Sequence, residues 1–200
     1  MVKRCAALER NTKETQIRMA LEIPESGAGG LQGTSGIGFF DHMLNSFGVH
    51  GRFRISLEMS GDLLVDGHHS IEDTGIVLGR LFGEILTDKT GLARFGESYV
   101  PMDEALAFAA VDISGRPYLV YDAPQAEFQS VPILGAYDVQ MTKEFFRALA
   151  NGAGMTLHLR VLYGENVHHM TEAVFKAAAR AIAQAAALTG SDLRSTKGVL

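Results

Sequence analysis

The chain of 200 residues has only one cysteine and no long run of apolar residues. Cys5 alone cannot form an internal disulfide, which fits a reducing compartment. A membrane-spanning helix needs roughly 18 consecutive apolar residues, and no such run is present. The start of the chain leads into polar sequence rather than a signal-peptide core. The cytoplasm is therefore the expected location.

Positive charge is also scarce, with 18 basic against 23 acidic residues and a net charge of −5. No group of Lys and Arg residues is long enough to follow a phosphate backbone, which argues against nucleic acid as a partner. Walker and dinucleotide-binding fingerprints are absent as well. Any anionic ligand must therefore be bound by a few individually placed cations. The hydrophobic content of 46% is sufficient for a substantial core.

Two histidine motifs are the most informative feature of the chain. His68-His69-x-x-Glu72 and His168-His169-x-x-Glu172 each open a segment with helical apolar periodicity. On a helix the second His and the Glu share a face, and the first His points roughly 100° away. Imidazole and carboxylate together suit a divalent Zn, Mn or Fe ion, and the remaining His can reach a second ion. The alternative is a solvated helix N-terminus, but two copies use four of the seven histidines, which favours metal binding.

Apolar periodicity predicts the remaining elements. In the first half we expect a strand at 15–23, a glycine-rich loop at 26–38, a helix at 39–51, strands at 53–59 and 63–65, and the first His-His helix. In the second half we expect strands at 99–102, 105–113 and 117–121, a loop at 125–137, a helix at 139–150, a strand at 155–161 and the second His-His helix. Gly115-Arg116 predicts a hairpin turn between the strands on either side of it.

The order helix, strand, His-His-x-x-Glu helix occurs twice, which indicates an ancient duplication. A shift of 102 residues places His42 on Glu144 and the strand at 53–57 on 155–159, and a shift of 100 aligns the His-His motifs. The difference requires a two-residue deletion in the intervening turn. Duplicated halves would supply a pseudo-symmetric pair of metal sites, with His42 and Glu144 as equivalent ligands. Glu144 taken alone could also be a surface carboxylate on an amphipathic helix.

Four motifs together resemble the imidazoleglycerol-phosphate dehydratase family over nearly the whole chain. They are Phe39-Phe40-Asp41-His42-Met43-Leu44, Asp66-x-His68-His69-x-x-Glu72-Asp73, Gly164-Glu165-Asn166-x-His168-His169-x-x-Glu172-Ala173 and Ser195-x-Lys197-Gly198. The resemblance implies an α+β fold of two tandem half-domains, each a four-stranded sheet backed by helices, related to the ribosomal protein S5 domain 2-like fold. The half-domains are expected at 1–93 and 94–190, with a substrate-binding tail at 191–200.

The resemblance also implies two Mn²⁺ ions per active site, built between subunits of a trimer within a 24-mer. One ion would be bound by His42, His69, Glu72 and His168, and the other by His68, Glu144, His169 and Glu172. The ligands of one site would come from different chains. Glu144 stands where many family members have a histidine, so a carboxylate would replace an imidazole there.

The implied reaction dehydrates imidazole glycerol phosphate to imidazole acetol phosphate in histidine biosynthesis. The carbon-bound proton has no neighbouring carbonyl to acidify it, so a general base alone faces a large barrier. Metal ions on the ring nitrogens would favour an imidazolate, which expels the hydroxyl and leaves a diazafulvene-type intermediate. Glu14 is expected to transfer a proton and His50 to line the pocket, while Asp66 and Asp73 would orient the histidines. Without the resemblance, the sequence indicates only that Glu14 is an exposed acid at a strand end.

Substrate phosphate would be bound by cations and a hydroxyl, with Arg able to contact two oxygens at once. The family positions for this role fall on Arg94, Arg116, Ser195 and Lys197. Two other functions remain open from the residues themselves. Paired ions could serve a two-metal phosphoester hydrolase, or the clusters could only join subunits of a non-enzymatic, metal-cemented shell.

Overall fold

The structure is a computed structural model that describes residues 4–123 and 133–198. The first half contains a four-stranded sheet in the order β1-β2-β4-β3, in which only the β3–β4 pair is parallel. Its elements are β1 (Cys5–Asn11), β2 (Thr15–Glu22), β3 (Gly30–Thr34), α1 (Gly38–Gly51), β4 (Arg54–Gly61) and α2 (His68–Ile85).

The second half repeats this plan with a sheet in the order β5-β6-β10-β7, in which only β7 and β10 are parallel. Its elements are β5 (Phe95–Met102), β6 (Ala105–Asp112), β7 (Tyr118–Asp122), the short hairpin β8 (Ile133–Leu134) and β9 (Tyr137–Asp138), α3 (Met141–Ala153), β10 (Thr156–Tyr163) and α4 (Val167–Ala185). The two four-stranded sheets with their helices confirm the predicted α+β fold.

The strands bury one face because their apolar residues alternate with polar ones. In β2, Ile17, Met19 and Leu21 are buried, whereas Gln16 and Arg18 are exposed. Helix α2 packs on the first sheet and on α3, and α4 packs on the second sheet and on α1. The four helices therefore lie between the two sheets, and each half contributes one helix to each interhelical contact.

Glycine allows α2 and α3 to approach backbone to backbone. A Cβ at Gly75 would lie 2.5 Å from the carbonyl oxygen of Phe145, and a Cβ at Gly79 would lie 2.4 Å from that of Leu149. Such separations leave no room for a side chain. This contact fixes the start of α2, where the first His-His motif lies, against the start of α3.

Several details of the structure differ from the predictions, including the short β8–β9 hairpin, which lies largely within the predicted loop at 125–137. Residues 63–65 form a turn rather than a strand. The predicted hairpin between β6 and β7 is wrong, because β10 lies between these strands and pairs with both. β3 lies within the predicted glycine-rich loop, where Gly33 has a φ of 108° and a Cβ would lie 1.9 Å from the carbonyl oxygen of Leu57. Residues 125–132 of the predicted loop at 125–137 lie outside the described residues.

β1 was not predicted from the sequence, and it pairs along its full length with β2. Among the described residues, no helix combines the length and the apolar character needed to cross a membrane.

We expect Gly79→Ala to lower the free energy of unfolding. Alanine favours a helix over glycine by about 1 kcal/mol, but a methyl group 2.4 Å from a carbonyl oxygen forces α2 and α3 apart. Overpacking of this kind costs about 1–3 kcal/mol, so the net change should be destabilising in denaturant-induced unfolding. Gly38→Ala is the matched control, because nothing lies within 4 Å of a Cβ there. Equal stability of the two variants would contradict the close helix contact.

Candidate active site

Both His-His pairs lie in the first turn of a helix, where side chains bind the free backbone N–H groups. Asp66 Oδ1 accepts a hydrogen bond from the backbone N–H of His68, at 2.7 Å. Asn166 Oδ1 accepts from the backbone N–H groups of His168 and His169, at 2.9 and 3.2 Å. Asn166 is the N-cap of α4, whereas Asp66 lies one residue before Gly67, the N-cap of α2, which has no side-chain cap of its own.

A first group of candidate metal ligands joins α1 to α4. The donor atoms of His42, His168 and Glu172 lie within 4.8 Å of one another, and Glu172 Oε2 is 3.2 Å from Nε2 of each histidine. We name these three residues the α1–α4 cluster. Two imidazoles and a carboxylate form a donor set suited to a divalent transition metal such as Mn²⁺ or Zn²⁺.

The surroundings of Glu172 favour its ionised form. Burial raises the pKa of this carboxyl, but the hydrogen bond and charge of Lys176, together with His42, outweigh burial and lower the pKa overall. Lys176 Nζ lies 2.8 Å from Glu172 Oε1. Lys176 was missed from the sequence, although its place one helical turn after Glu172 puts it on the same face.

The equivalent group in the other half joins α2 to α3. His68 Nε2 lies 3.6 Å from Glu72 Oε2. Arg147 forms ion pairs with Glu72 and with Glu144, so one guanidinium holds the two carboxylates close together. We name His68, Glu72 and Glu144 the α2–α3 cluster. Arg147 thus joins Glu144 to Glu72, whereas His42 contacts Glu172 directly.

The second histidine of each pair points away from its cluster. His69 Nδ1 lies 3.0 Å from Asp62 Oδ2, and His169 Nδ1 lies 2.8 Å from Glu104 Oε2. These hydrogen bonds raise the pKa of His69 and of His169. The hydrogen bond from His169, assisted by backbone N–H groups, lowers the pKa of Glu104 to about 2.

Two expectations about these histidines are corrected. We expected the second His of each motif to share a face with its Glu, but within one chain it is His68 and His168 that contact Glu72 and Glu172. At 100° per residue, a partner four positions away is offset by roughly 40° and one three positions away by roughly 60°, so the first His is the closer neighbour.

The second correction concerns the orienting carboxylates, expected at Asp66 and Asp73. Asp66 binds a backbone N–H group. Asp73 accepts a hydrogen bond from Thr15 Oγ1 at 2.5 Å and pairs with Arg10. The rings are bound instead by Asp62 and Glu104, which lie 7 and 65 residues before their histidines. Asp62 directly follows a strand and Glu104 is distant in sequence, so no local motif identifies them.

The two predicted catalytic residues lie in different surroundings. Glu14 lies in the turn between β1 and β2, with its exposed carboxylate 3.9 Å from Nε2 of His69. His50 lies two turns after His42 on α1, in a surface pocket that it shares with Arg52 and Arg180. Burial, followed by the charges of Lys176 and Arg180, lowers the pKa of His50 and so favours its neutral form.

The predicted phosphate-binding arginines meet at a shared carboxylate. Arg94 contacts both oxygens of Asp112, at 2.8 and 3.2 Å, and Arg116 contacts one of them at 3.5 Å. Arg94 also donates to the backbone carbonyl of Arg194, which brings the tail with Ser195 to the same region. Lys197 follows in this tail, and its backbone N–H donates to Ser195 Oγ at 3.3 Å.

The eight predicted metal ligands thus form partial clusters within one chain. Among residues 4–123 and 133–198, the α1–α4 cluster is the only group of three or more His, Cys, Asp or Glu residues with donor atoms within 4.8 Å of one another. His69 and Glu72 are outside it, although we expected them to share an ion with His42 and His168. Glu172 is inside it, although we expected it to bind the other ion. A single chain therefore offers fewer ligands for the ion of His42 and His168 than the four we predicted.

Comparisons with known proteins agree with this architecture. The family model described as imidazoleglycerol-phosphate dehydratase matches residues 35–182. Relatives named imidazoleglycerol-phosphate dehydratase include one from Bacillus cytotoxicus, 50% identical over 98% of this chain and 99% of the relative. Another, from Limosilactobacillus fermentum, is 49% identical over 98% of this chain and 100% of the relative.

Solved structures give the same result. The crystal structure of imidazoleglycerol-phosphate dehydratase from Staphylococcus aureus has a TM-score of 0.81 and 37% identity, with 92% of this chain and 99% of that chain covered. The crystal structure of IGPD from Pyrococcus furiosus has a TM-score of 0.79 and 36% identity, with 96% and 100% covered. The chain therefore belongs to the imidazoleglycerol-phosphate dehydratase family.

Proposed function

We propose that the protein is a hydro-lyase that converts imidazole glycerol phosphate to imidazole acetol phosphate in histidine biosynthesis. The observation that carries this proposal is the pair of imidazole-carboxylate clusters at the first turns of two duplicated helices. The family's name and the near-complete coverage of its relatives support the same reaction. A cytoplasmic location remains a prediction that accompanies it.

Mn²⁺ is the metal that we propose, with two ions per active site, and each ion would take ligands from both clusters together with His69 or His169. The donor set supports this choice, because neutral imidazoles and ionised carboxylates bind divalent ions of this type. The proposed ligands of one ion are His42, His69, Glu72 and His168, and those of the other are His68, Glu144, His169 and Glu172. When bound, the ions would supply Lewis acidity and a template for the imidazole ring of the substrate.

We further propose that active sites are completed by a neighbouring subunit. His42 and His168 lie together in one chain, and their predicted partners His69 and Glu72 lie outside that cluster. A second copy that supplies these two side chains would raise the number of protein ligands to four. Assembly into trimers and a 24-mer is the form of self-association that we predict.

The chain's own residues would bind the substrate and move its protons. Glu14 would accept the carbon-bound proton, because its carboxylate is exposed and lies beside the proposed ligand His69. His50 would line the pocket near Lys176 and Arg180.

Phosphate would bind at the end of β6, where two arginines share Asp112. The proposed contacts are Arg94, Arg116, Ser195 and Lys197. In the same proposal, 1–93 and 94–190 are the half-domains and 191–200 is the substrate-binding tail.

Product analysis tests the reaction against the two alternatives. Purified protein loaded with Mn²⁺ and incubated with imidazole glycerol phosphate should release imidazole acetol phosphate, detected as a ketone by mass spectrometry. Free phosphate without this ketone would instead identify a phosphoester hydrolase. A protein that binds Mn²⁺ but leaves the substrate unchanged would point to a metal-cemented shell.

We expect His42→Ala to reduce the metal content of the purified protein. The substitution removes one imidazole from the α1–α4 cluster and leaves Glu172 without one of its two histidine contacts. Loss of such a ligand should weaken Mn²⁺ binding by at least about tenfold, measured by equilibrium dialysis with elemental analysis. His158→Ala is the matched control, since His158 lies on an exposed face of β10. Full metal content in His42→Ala would contradict the ligand assignment.

Arg116→Ala should weaken substrate binding and leave metal content intact. Arg116 is exposed and contacts Asp112 at the predicted phosphate site. Loss of a charge-assisted contact with phosphate costs about 1.5–3 kcal/mol, which corresponds to a KM raised by roughly 10- to 150-fold. Arg160→Ala removes another exposed arginine of the second sheet, paired with Asp122, and serves as the control. An unchanged KM, or loss of the ions, would show that the phosphate assignment is wrong.

A further inference from the structure

We propose that Asp62 and Glu104 are positioning residues, each of which sets the tautomer and the orientation of one metal-binding histidine. This inference rests on the proposed function, because it takes His69 and His169 as ligands. The two carboxylates come from different elements, yet each contacts Nδ1 of its histidine, at 3.0 and 2.8 Å.

The chemistry of these contacts defines which ring nitrogen can bind a metal. An ionised carboxylate only accepts hydrogen bonds, so Nδ1 of the imidazole must carry the hydrogen. The lone pair of the neutral ring is then on Nε2, on the side opposite the carboxylate. Asp62 and Glu104 therefore prepare His69 and His169 to bind through Nε2 and hold each ring in one direction.

Glu104 is held by three donors at once. Its Oε1 accepts from the backbone N–H groups of Glu165 and Asn166, at 3.1 and 2.7 Å, while Oε2 accepts from His169. Asn166 in turn caps α4 through the backbone N–H groups of His168 and His169. One carboxylate thus links the β5–β6 turn, the start of α4 and the ring of His169.

Asp62 is held in a simpler way. It follows the end of β4, and its backbone N–H donates to the carbonyl oxygen of Glu14 at 3.1 Å. Its Oδ2 binds His69, while Oδ1 is buried and makes no hydrogen bond with other described residues. An amide at residue 62 could therefore direct its oxygen to His69 without breaking a second hydrogen bond to the described residues.

The duplication explains why the two halves use different positions for this role. A shift of 90 residues places Glu14 on Glu104, each directly before the second strand of its sheet. A shift of 102 places Asp62 on Gly164, where a Cβ would lie 2.4 Å from Cγ of Met170. The second half has no side chain at the Asp62 position, so Glu104 binds Nδ1 of the histidine there.

In the first half Asp62 binds Nδ1, which leaves Glu14 free of that role. The Glu14 carboxylate instead lies 3.9 Å from Nε2 of His69, on the side where the ring would bind a metal. A carboxylate held by three donors is a poor proton acceptor, so Glu104 cannot substitute for Glu14. Each chain accordingly keeps one of its two equivalent glutamates available for proton transfer.

Glu104→Gln tests this assignment. The two backbone N–H groups require the amide oxygen on their side, so the amide NH₂ group would face Nδ1 of His169 and shift the hydrogen to Nε2. We expect the Mn²⁺ affinity of the metal-free protein to fall by about 10- to 100-fold in isothermal titration calorimetry. Asp62→Asn should lower the Mn²⁺ affinity less than Glu104→Gln does, because the amide can turn its oxygen toward His69. Asp62→Ala, which removes the acceptor, should lower the Mn²⁺ affinity more than Asp62→Asn does.

Two further variants separate positioning from other effects. Glu14→Gln makes the same change at the equivalent position, and we expect it to keep Mn²⁺ affinity near that of the wild type while kcat falls by about 10²- to 10⁴-fold. Glu9→Gln removes an exposed carboxylate that is paired with Arg18, and it should leave both quantities unchanged. Thermal unfolding of each metal-free variant reports any general loss of structure.

Several results would overturn the inference. Wild-type affinity in Glu104→Gln would exclude the positioning role, and the proposed function would stand if the wild type still binds Mn²⁺ and dehydrates the substrate. An affinity loss in Glu104→Gln that is matched by an equal loss in Glu14→Gln would show a general charge effect instead. If Glu104→Gln does not fold, the two Asp62 variants decide. A lower Mn²⁺ affinity in Asp62→Ala than in Asp62→Asn would support the assignment, and equal affinities would contradict it. A wild type that binds no Mn²⁺ would remove both proposals.

Discussion

The candidate site depends on where α2 and α4 begin. Each His-His pair lies in a first helical turn, where the side chain of Asp66 binds the backbone N–H of His68 and the N-cap Asn166 binds that of His168. In that turn, one imidazole lies along the helix beside the Glu one turn later, while the next imidazole points roughly 100° away. The helix geometry thus sends the two rings of one motif toward different partners. A one-residue shift of either helix's sequence relative to its packed face would rotate both rings by that same angle and remove their present contacts.

The interhelical contacts convert two local motifs into two clusters. α4 lies against α1, so His168 meets His42 with ring centroids 5.6 Å apart. α2 lies against α3, so the Glu72 side chain reaches Arg147, which also pairs with Glu144. Neither meeting is possible within a single half, because each helix pair contains one helix from each half. Half a chain could therefore form neither cluster.

The sequence predicts the two His-His helices and the equivalence of His42 and Glu144, because apolar periodicity and motif spacing are local signals. The fold class is predicted from the family resemblance. The sequence does not predict that β10 lies between β6 and β7, since strand order is decided by packing between distant segments. Glycine-rich β3 shows no alternation, because Gly33 must meet the backbone of β4. Glu104 could not be identified for a similar reason, as its contact with His169 depends on how two distant turns meet.

The two clusters differ in the charged side chains that surround them. The position of Lys176 beside Glu172 corresponds to Ile76 beside Glu72, so only the α1–α4 cluster has an ammonium one turn further along its helix. A cation there keeps Glu172 ionised despite its burial. In the other half, Arg147 comes from the facing helix and binds two carboxylates. The donor atoms are thus duplicated, while the charges that surround them are not, so the two clusters differ in electrostatic environment.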